Sequence, residues 1–259
     1  MATRAGWLRE QLLVAFHLYC RMPFGKMHRA NPDVIRYAGL IGRTPSALAM
    51  KLTNIASLDP AITSTGRKGL EGASSADRAM WEEMQTDWEQ FALAVQQAVE
   101  RVEGQAIELP IAEDVHLGAA ENYEGTERFA TTKTRVGQAF FRDAVLSAYD
   151  YCCCISGLGV PQLLVASHIV PWRSDAKNRL NPRNGLCLSM LHDKAFDLGL
   201  ICIADNFTVQ ISPKLMRLDD EFLTSSIIRY SGQRLRTPEK FIPDREFLAF
   251  HRDNVFVRT

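Results

Sequence analysis

The chain of 259 residues has no run of about 18 apolar residues, so no membrane-spanning helix is expected. Its first ten residues mix Arg with apolar side chains and lack the apolar core of a secretory signal, which points to a cytoplasmic protein that meets no membrane. No pair of C-x-x-C motifs is present, and three of the six cysteines are consecutive (Cys152, Cys153, Cys154). That spacing suits no ordinary disulfide framework, so the thiols are expected to be reduced and mostly buried. A zinc ion held by Cys152, Cys154 and later thiols is the alternative. Net charge is also missing, with 30 Lys and Arg against 30 Asp and Glu. This balance argues against a protein that coats nucleic acid uniformly.

The zero is not evenly spread. Residues 1–76 carry a balance of +6, residues 77–127 one of −11 and residues 128–259 one of +5. Two basic surfaces able to meet phosphate are thus separated by an acidic middle. Residues 7–20 have the spacing of an amphipathic helix with Leu12, Leu13, Phe16 and Tyr19 inward. Asn31-Pro32 and Thr44-Pro45 each offer an N-cap followed by proline at the first helical position. Three short helices with a tight Gly-Arg-Thr turn before the last are broadly similar to the helix-turn-helix of the Myb-like or winged-helix group. Residues 1–60 are therefore expected to form a helix-turn-helix-like domain, with Arg43 and Lys51 as DNA contacts. The competing reading is a small helical bundle that binds no DNA.

Residues 75–103 predict one long helix. Trp81, Met84, Trp88, Phe91, Val95, Ala98 and Val102 recur at heptad spacing. The stripe either lies on its own domain or forms the seam of a homodimer. Residues 104–127 are acidic, non-periodic and expected to be a linker. A helix carrying Val136, Phe140, Phe141, Val145, Leu146 and Tyr149 follows. Short apolar runs then alternate with turns, at 162–169, 185–191, 200–203 and 207–211, and read as strands. The expected class is α+β.

Within this half lie Ser167-His168-Ile169-Val170-Pro171-Trp172, then Asn184-Gly185-Leu186, then His192-Asp193-Lys194-Ala195-Phe196-Asp197. A strand bearing His, a loop, an Asn opening a second strand and a His at a helix start come in that order. The set resembles the ββα-metal core of HNH endonucleases, and its wording resembles the branch found in bacterial restriction and defence nucleases. The resemblance spans roughly residues 128–211, inside an expected domain of 128–259.

It implies a specific chemistry. Hydrolysis of a phosphodiester needs an activated water, charge neutralisation at phosphorus and help for the leaving oxygen. By resemblance His168 is the general base, since a neutral imidazole of pKa about 6.5 can take a proton from water at cellular pH. Asn184 matches the central Asn, whose amide pins the two strands and orients His168. His192 matches the metal ligand of the third element. Two departures follow. Many family members place Asp before the base His, and here the residue is Ser167. Another donor is then needed, with Asp197 first and Asp193 as its rival. His192 and Asp197 are five apart, about 140° on a regular helix, so they converge only if His192 precedes the first turn.

The implied cofactor is a divalent ion, Mg²⁺ or Mn²⁺ before Zn²⁺ or Ni²⁺, and the implied partner is DNA. Arg173 and Arg183 are the nearest candidates for phosphate contacts, with Lys177 and Lys194 beside them. The resulting expectation is a DNA endonuclease of the restriction or anti-phage kind. The alternative is a non-enzymatic DNA-binding regulator with a degenerate HNH scaffold.

Overall fold

The computed structural model describes residues 6–64, 72–104 and 125–258, with side chains from residue 137 onward in the last stretch. The first helix of the described residues is α1 (Arg9–Arg21), in which every residue from Leu12 to Cys20 is buried. A helix buried on all sides sits at the centre of a bundle rather than on its surface. The expected inward face is therefore only part of what α1 buries. Around it pack α2 (Pro32–Leu40), α3 (Pro45–Ala56), the short α4 (Pro60–Thr63), α5 (Ser75–Thr86) and α6 (Trp88–Gly104). The caps of α2 and α3 fall where Asn31 and Thr44 predict them, each side chain accepting a backbone N–H of the first turn.

The expected single helix over 75–103 is two helices. Asp87 is extended (φ −150°, ψ 93°), and its carboxylate accepts the N–H of Gln90 at 3.0 Å as the N-cap of α6. The heptad stripe survives the break but turns inward. Trp81, Met84, Trp88, Phe91, Val95, Ala98 and Val102 are all buried, and Phe91 meets Phe16 of α1 edge-on at 5.0 Å. The dimer seam is corrected accordingly, because this chain's own core consumes the apolar stripe.

Among the described residues, α7 (Gly125–Ala148) starts the second half. The expected acidic linker, residues 104–127, lies outside the described residues for most of its length. The antiparallel pair β1 (Leu164–His168) and β2 (Gly185–Ser189) follows, with His168 opposite Gly185. Next come α8 (Met190–Asp197) and a second antiparallel pair, β3 (Ile201–Ile203) and β4 (Val209–Ile211). Three helices end the chain: α9 (Pro213–Met216), α10 (Glu221–Ser226) and α11 (Arg245–Asn254). The architecture is mixed helix and strand. One apolar cluster runs from Leu12 to Leu248, so the helical half and the strand-bearing half share a core.

Polar stitches reinforce that join. Lys240 is fully buried, and its ammonium donates to the carbonyls of Tyr19, Cys20 and Met22 at the end of α1. Asp59 accepts from Tyr19 Oη at 2.7 Å and from the N–H of Phe241 at 3.2 Å.

Both cations expected to read DNA are engaged by other groups of this chain, Lys51 in the interior and Arg43 in a partly exposed position. Lys51 is 5% exposed and gives both Asp77 carboxylate oxygens a hydrogen bond, at 2.8 and 2.9 Å. Arg43 donates to Gln11 Oε1 and to the carbonyl of Gly6, and lies 4.9 Å over the Trp7 ring. Lys51 stands 5.0 Å from the centre of the same ring. The helix-turn-helix reading is corrected at these two residues: they hold the entry of the chain against the bundle. All six cysteines are free thiols and five are buried. No cluster of three potential metal donors occurs among the described residues.

Candidate active site

The site is built on the β1–β2 pair and on α7, which packs beneath it. Gly185 is glycine for a packing reason. A Cβ there would lie 2.3 Å from Val145 Cγ2 and 3.0 Å from Phe141 Cζ. The missing side chain lets α7 approach, and Phe141 then stacks on His168 with ring centres 4.1 Å apart and planes 9° apart. Trp172 meets the same imidazole edge-on at 5.4 Å. The imidazole is thus in contact with two aromatic residues.

Its hydrogen bonding selects a tautomer. His168 Nε2 lies 2.9 Å from the carbonyl oxygen of Arg179. A carbonyl only accepts, so Nε2 carries the proton and the neutral ring has its lone pair on Nδ1. No hydrogen bond reaches Nδ1 from the described residues, and it is not sealed in the interior as His251 Nδ1 is. Burial lowers the His168 pKa from 6.5, while the Arg179 carbonyl and the charge of Asp193 act in the opposite direction. The ring is therefore neutral and basic at neutral pH.

Asn184 is 1% exposed and closes the loop that leaves β1. Its Oδ1 accepts the N–H of Val170 at 2.8 Å, and its Nδ2 donates to the carbonyls of Val170 at 3.3 Å and Asn178 at 3.2 Å. Its own carbonyl accepts the N–H of Ile169. Within the loop Asp175, Asn178 and Asn181 cap one another through their side chains. Short polar side chains thereby satisfy a backbone that has no ladder partner. The carbonyl of Arg179 stays in place under His168 as a result.

His192 is engaged by Ser226 and Ser189. Ser189 is the N-cap of α8, so His192 sits inside the first turn rather than before it. Its Nε2 donates to the carbonyl of Ser226 at 3.0 Å, and its Nδ1 lies 2.7 Å from Ser189 Oγ. The ring is 3% exposed, beside the Cys153 thiol and edge-on to Tyr230. With both nitrogens engaged, His192 has no lone pair for a metal in this conformation. The expected convergence of His192 and Asp197 does not occur, because the helix is regular through both.

The rival carboxylate is placed differently. Asp193 is the charged group whose field reaches His168, and it also acts on Asp197 one turn on. Partial desolvation and then the Asp193 charge raise the Asp197 pKa above its ordinary value. Two mutually repelling carboxylates on one helix face fit a hard divalent cation, whose charge would relieve the repulsion. They supply only two side chains, so water and substrate phosphate would complete the shell. Ser167 does not add a donor. It alternates with His168 across β1, and its hydroxyl is sealed from solvent without a hydrogen-bond partner.

Of the expected phosphate contacts, Arg173 is exposed, as are Lys177 and Lys194. Arg183 is half-exposed and paired with Asp244 at 2.9 Å, its Nε near the carbonyl of Ile242. Arg179 had no place in the sequence reading. Its only signal was its position in a loop between two chemistry-bearing elements. A comparison with curated proteins returns no match. Residues 153–204, the stretch that contains β1, β2, α8 and the three residues His168, Asn184 and His192, match the family model described as HNH endonuclease.

Proposed function

We propose that this chain is a divalent-metal-dependent endonuclease that hydrolyses phosphodiester bonds in DNA, with His168 as its general base. The observation that carries the reading is the state of one imidazole, with Nε2–H tied to a backbone carbonyl and a neutral Nδ1 left open. Nδ1 takes a proton from water as the water oxygen bonds to phosphorus. The bond from phosphorus to the leaving oxygen breaks, and that oxygen is protonated from solvent. Asn184 acts by holding the loop, and therefore the Arg179 carbonyl, against His168. Asp193 and Asp197 would hold the cation, which when bound neutralises charge on the phosphate and the leaving oxygen. His192 anchors α8 through Ser226 and Ser189, and so sets the position of the two carboxylates.

A restriction or anti-phage role is supported by the wording of the three sequence elements. The regulator alternative loses its main support, since Lys51 and Arg43 are both engaged by other groups of this chain. The test is cleavage of supercoiled plasmids of different base modification, with Mg²⁺ or Mn²⁺, by the wild type and by His168→Ala. We expect the variant to lose cleavage by about 10²–10⁴-fold, the usual contribution of a general base, while still binding DNA. Cleavage at the wild-type rate by folded His168→Ala would overturn the assignment.

A further inference from the structure

We infer that Arg179 is a phosphate-binding residue of this site, its guanidinium held in place to receive the phosphodiester on which His168 acts. The inference rests on the nuclease reading above and adds a substrate contact to it. Arg179 is tied to His168 twice. Its carbonyl accepts from His168 Nε2 at 2.9 Å. Its side chain folds back so that Nε donates to the carbonyl of Trp172 at 2.8 Å, with the guanidinium carbon 5.2 Å from the centre of the Trp172 ring. That same indole meets His168 edge-on at 5.4 Å. Guanidinium and imidazole therefore share one aromatic neighbour, and a phosphate bound by the first would lie against the indole that touches the second.

The arginine is anchored but not used up. Only Nε has a protein acceptor, and no carboxylate pairs with the side chain among the described residues. The two Nη groups form a planar edge whose N–H bonds match two phosphate oxygens. Neighbouring cations differ in one respect or the other. Arg142 donates to the carbonyls of Leu164 and Pro161, and Arg183 is paired with Asp244. Arg173 is exposed, and no hydrogen bond or ion pair from the described residues holds its side chain. A guanidinium already held by a hydrogen bond and an indole loses less rotamer freedom on binding than a free one.

The experiment measures DNA binding in the His168→Ala background, where no cleavage disturbs the equilibrium. A labelled duplex is titrated by fluorescence anisotropy over a series of salt concentrations. Adding Arg179→Ala should weaken binding at least roughly tenfold, the effect of even one of the two charge-assisted hydrogen bonds. It should also reduce the slope of log K against log salt by about 0.9, the value for one phosphate contact. Arg179→Gln keeps a stem to pack on Trp172 and should show the same loss of slope, which separates lost charge from lost folding. Arg179→Lys should keep the slope and recover only part of the affinity. Unchanged affinity and slope in folded Arg179→Ala and Arg179→Gln would overturn the inference. A parent that binds no DNA would overturn the nuclease reading, and this one with it.

Discussion

At the scale of single residues, His168 and His192 show how environment divides two chemically identical side chains. His168 keeps Nδ1 open, whereas His192 has both nitrogens engaged in the interior. Because burial lowers the His168 pKa, the acidic limb of kcat/KM should have its midpoint below pH 6.5. The sign follows from the role: a base works when unprotonated, so a lowered pKa extends activity to more acidic solution. A limb centred above 6.5 in a pH–rate profile would count against the assignment. The second prediction separates anchor from ligand. His192→Ala should lower the melting temperature, since it removes a buried ring and the side-chain bonds that tie α8 to the Ser226 carbonyl and the Ser189 hydroxyl. Asp193→Asn should leave melting nearly unchanged while reducing both Mn²⁺ affinity and cleavage. Calorimetric titration and thermal melts read the two effects independently. Normal Mn²⁺ affinity in Asp193→Asn would remove that residue from the cation site.

At the scale of elements, the approach of α7 to the β1–β2 pair positions the base. Gly185→Ala places a methyl group 2.3 Å from Val145 Cγ2, which must shift, and 3.0 Å from Phe141 Cζ, a tight contact. Overpacking of this kind costs about 1–3 kcal/mol. The displaced Phe141 also carries the ring on which His168 stacks, so cleavage should fall by more than the loss of folded protein explains. Chemical denaturation with a parallel plasmid assay checks this, and full activity in the variant would show that α7 does not set the base. Much at this scale was legible in advance. The strands 164–168 and 185–189 lie within the apolar runs that predict them, and Asn31 and Thr44 cap as expected. The break at Asp87 was not anticipated, because the heptad spacing is continuous across it. Asp87 with Gln90 three residues later was the available signal.

At the scale of the whole molecule, buried charge joins parts that composition suggested were separate. Lys51→Ala should cost about 3–5 kcal/mol, because it leaves Asp77 buried without its partner. A lowered melting temperature with an unchanged salt dependence of DNA binding is the expected pattern. A reduced salt slope in folded protein would restore Lys51 as a DNA contact. Burial lowers the Lys240 pKa to about 8 from 10.5. Between those values the unfolded chain binds more protons at this position than the folded one. The contribution of this group to stability is therefore complete above pH 10.5 and is lost as pH falls through about 8. Urea midpoints measured from pH 7.5 to 10 should rise more steeply for the wild type than for Lys240→Met. Parallel curves would show that Lys240 does not titrate in this range.

What the sequence determined by itself was local. Strand and helix periodicity, caps and the order of His168, Asn184 and His192 all follow from neighbours a few residues apart, where side-chain spacing and backbone preference act directly. The same order also carried the family reading. The tertiary structure alone decided which chemically capable groups remain available. Lys51 and Arg43 read as surface cations until Asp77, Gln11 and the Trp7 ring, brought from other elements, are seen to occupy them. The heptad stripe reads as a seam until α1 is seen to cover it. His192 reads as a ligand until Ser226, 34 residues on, takes its second nitrogen. The physical reason is common to all three. A charge, an apolar stripe or a lone pair is a capacity that sequence displays, and whether it is spent inside the protein depends on long-range contacts that no local pattern encodes.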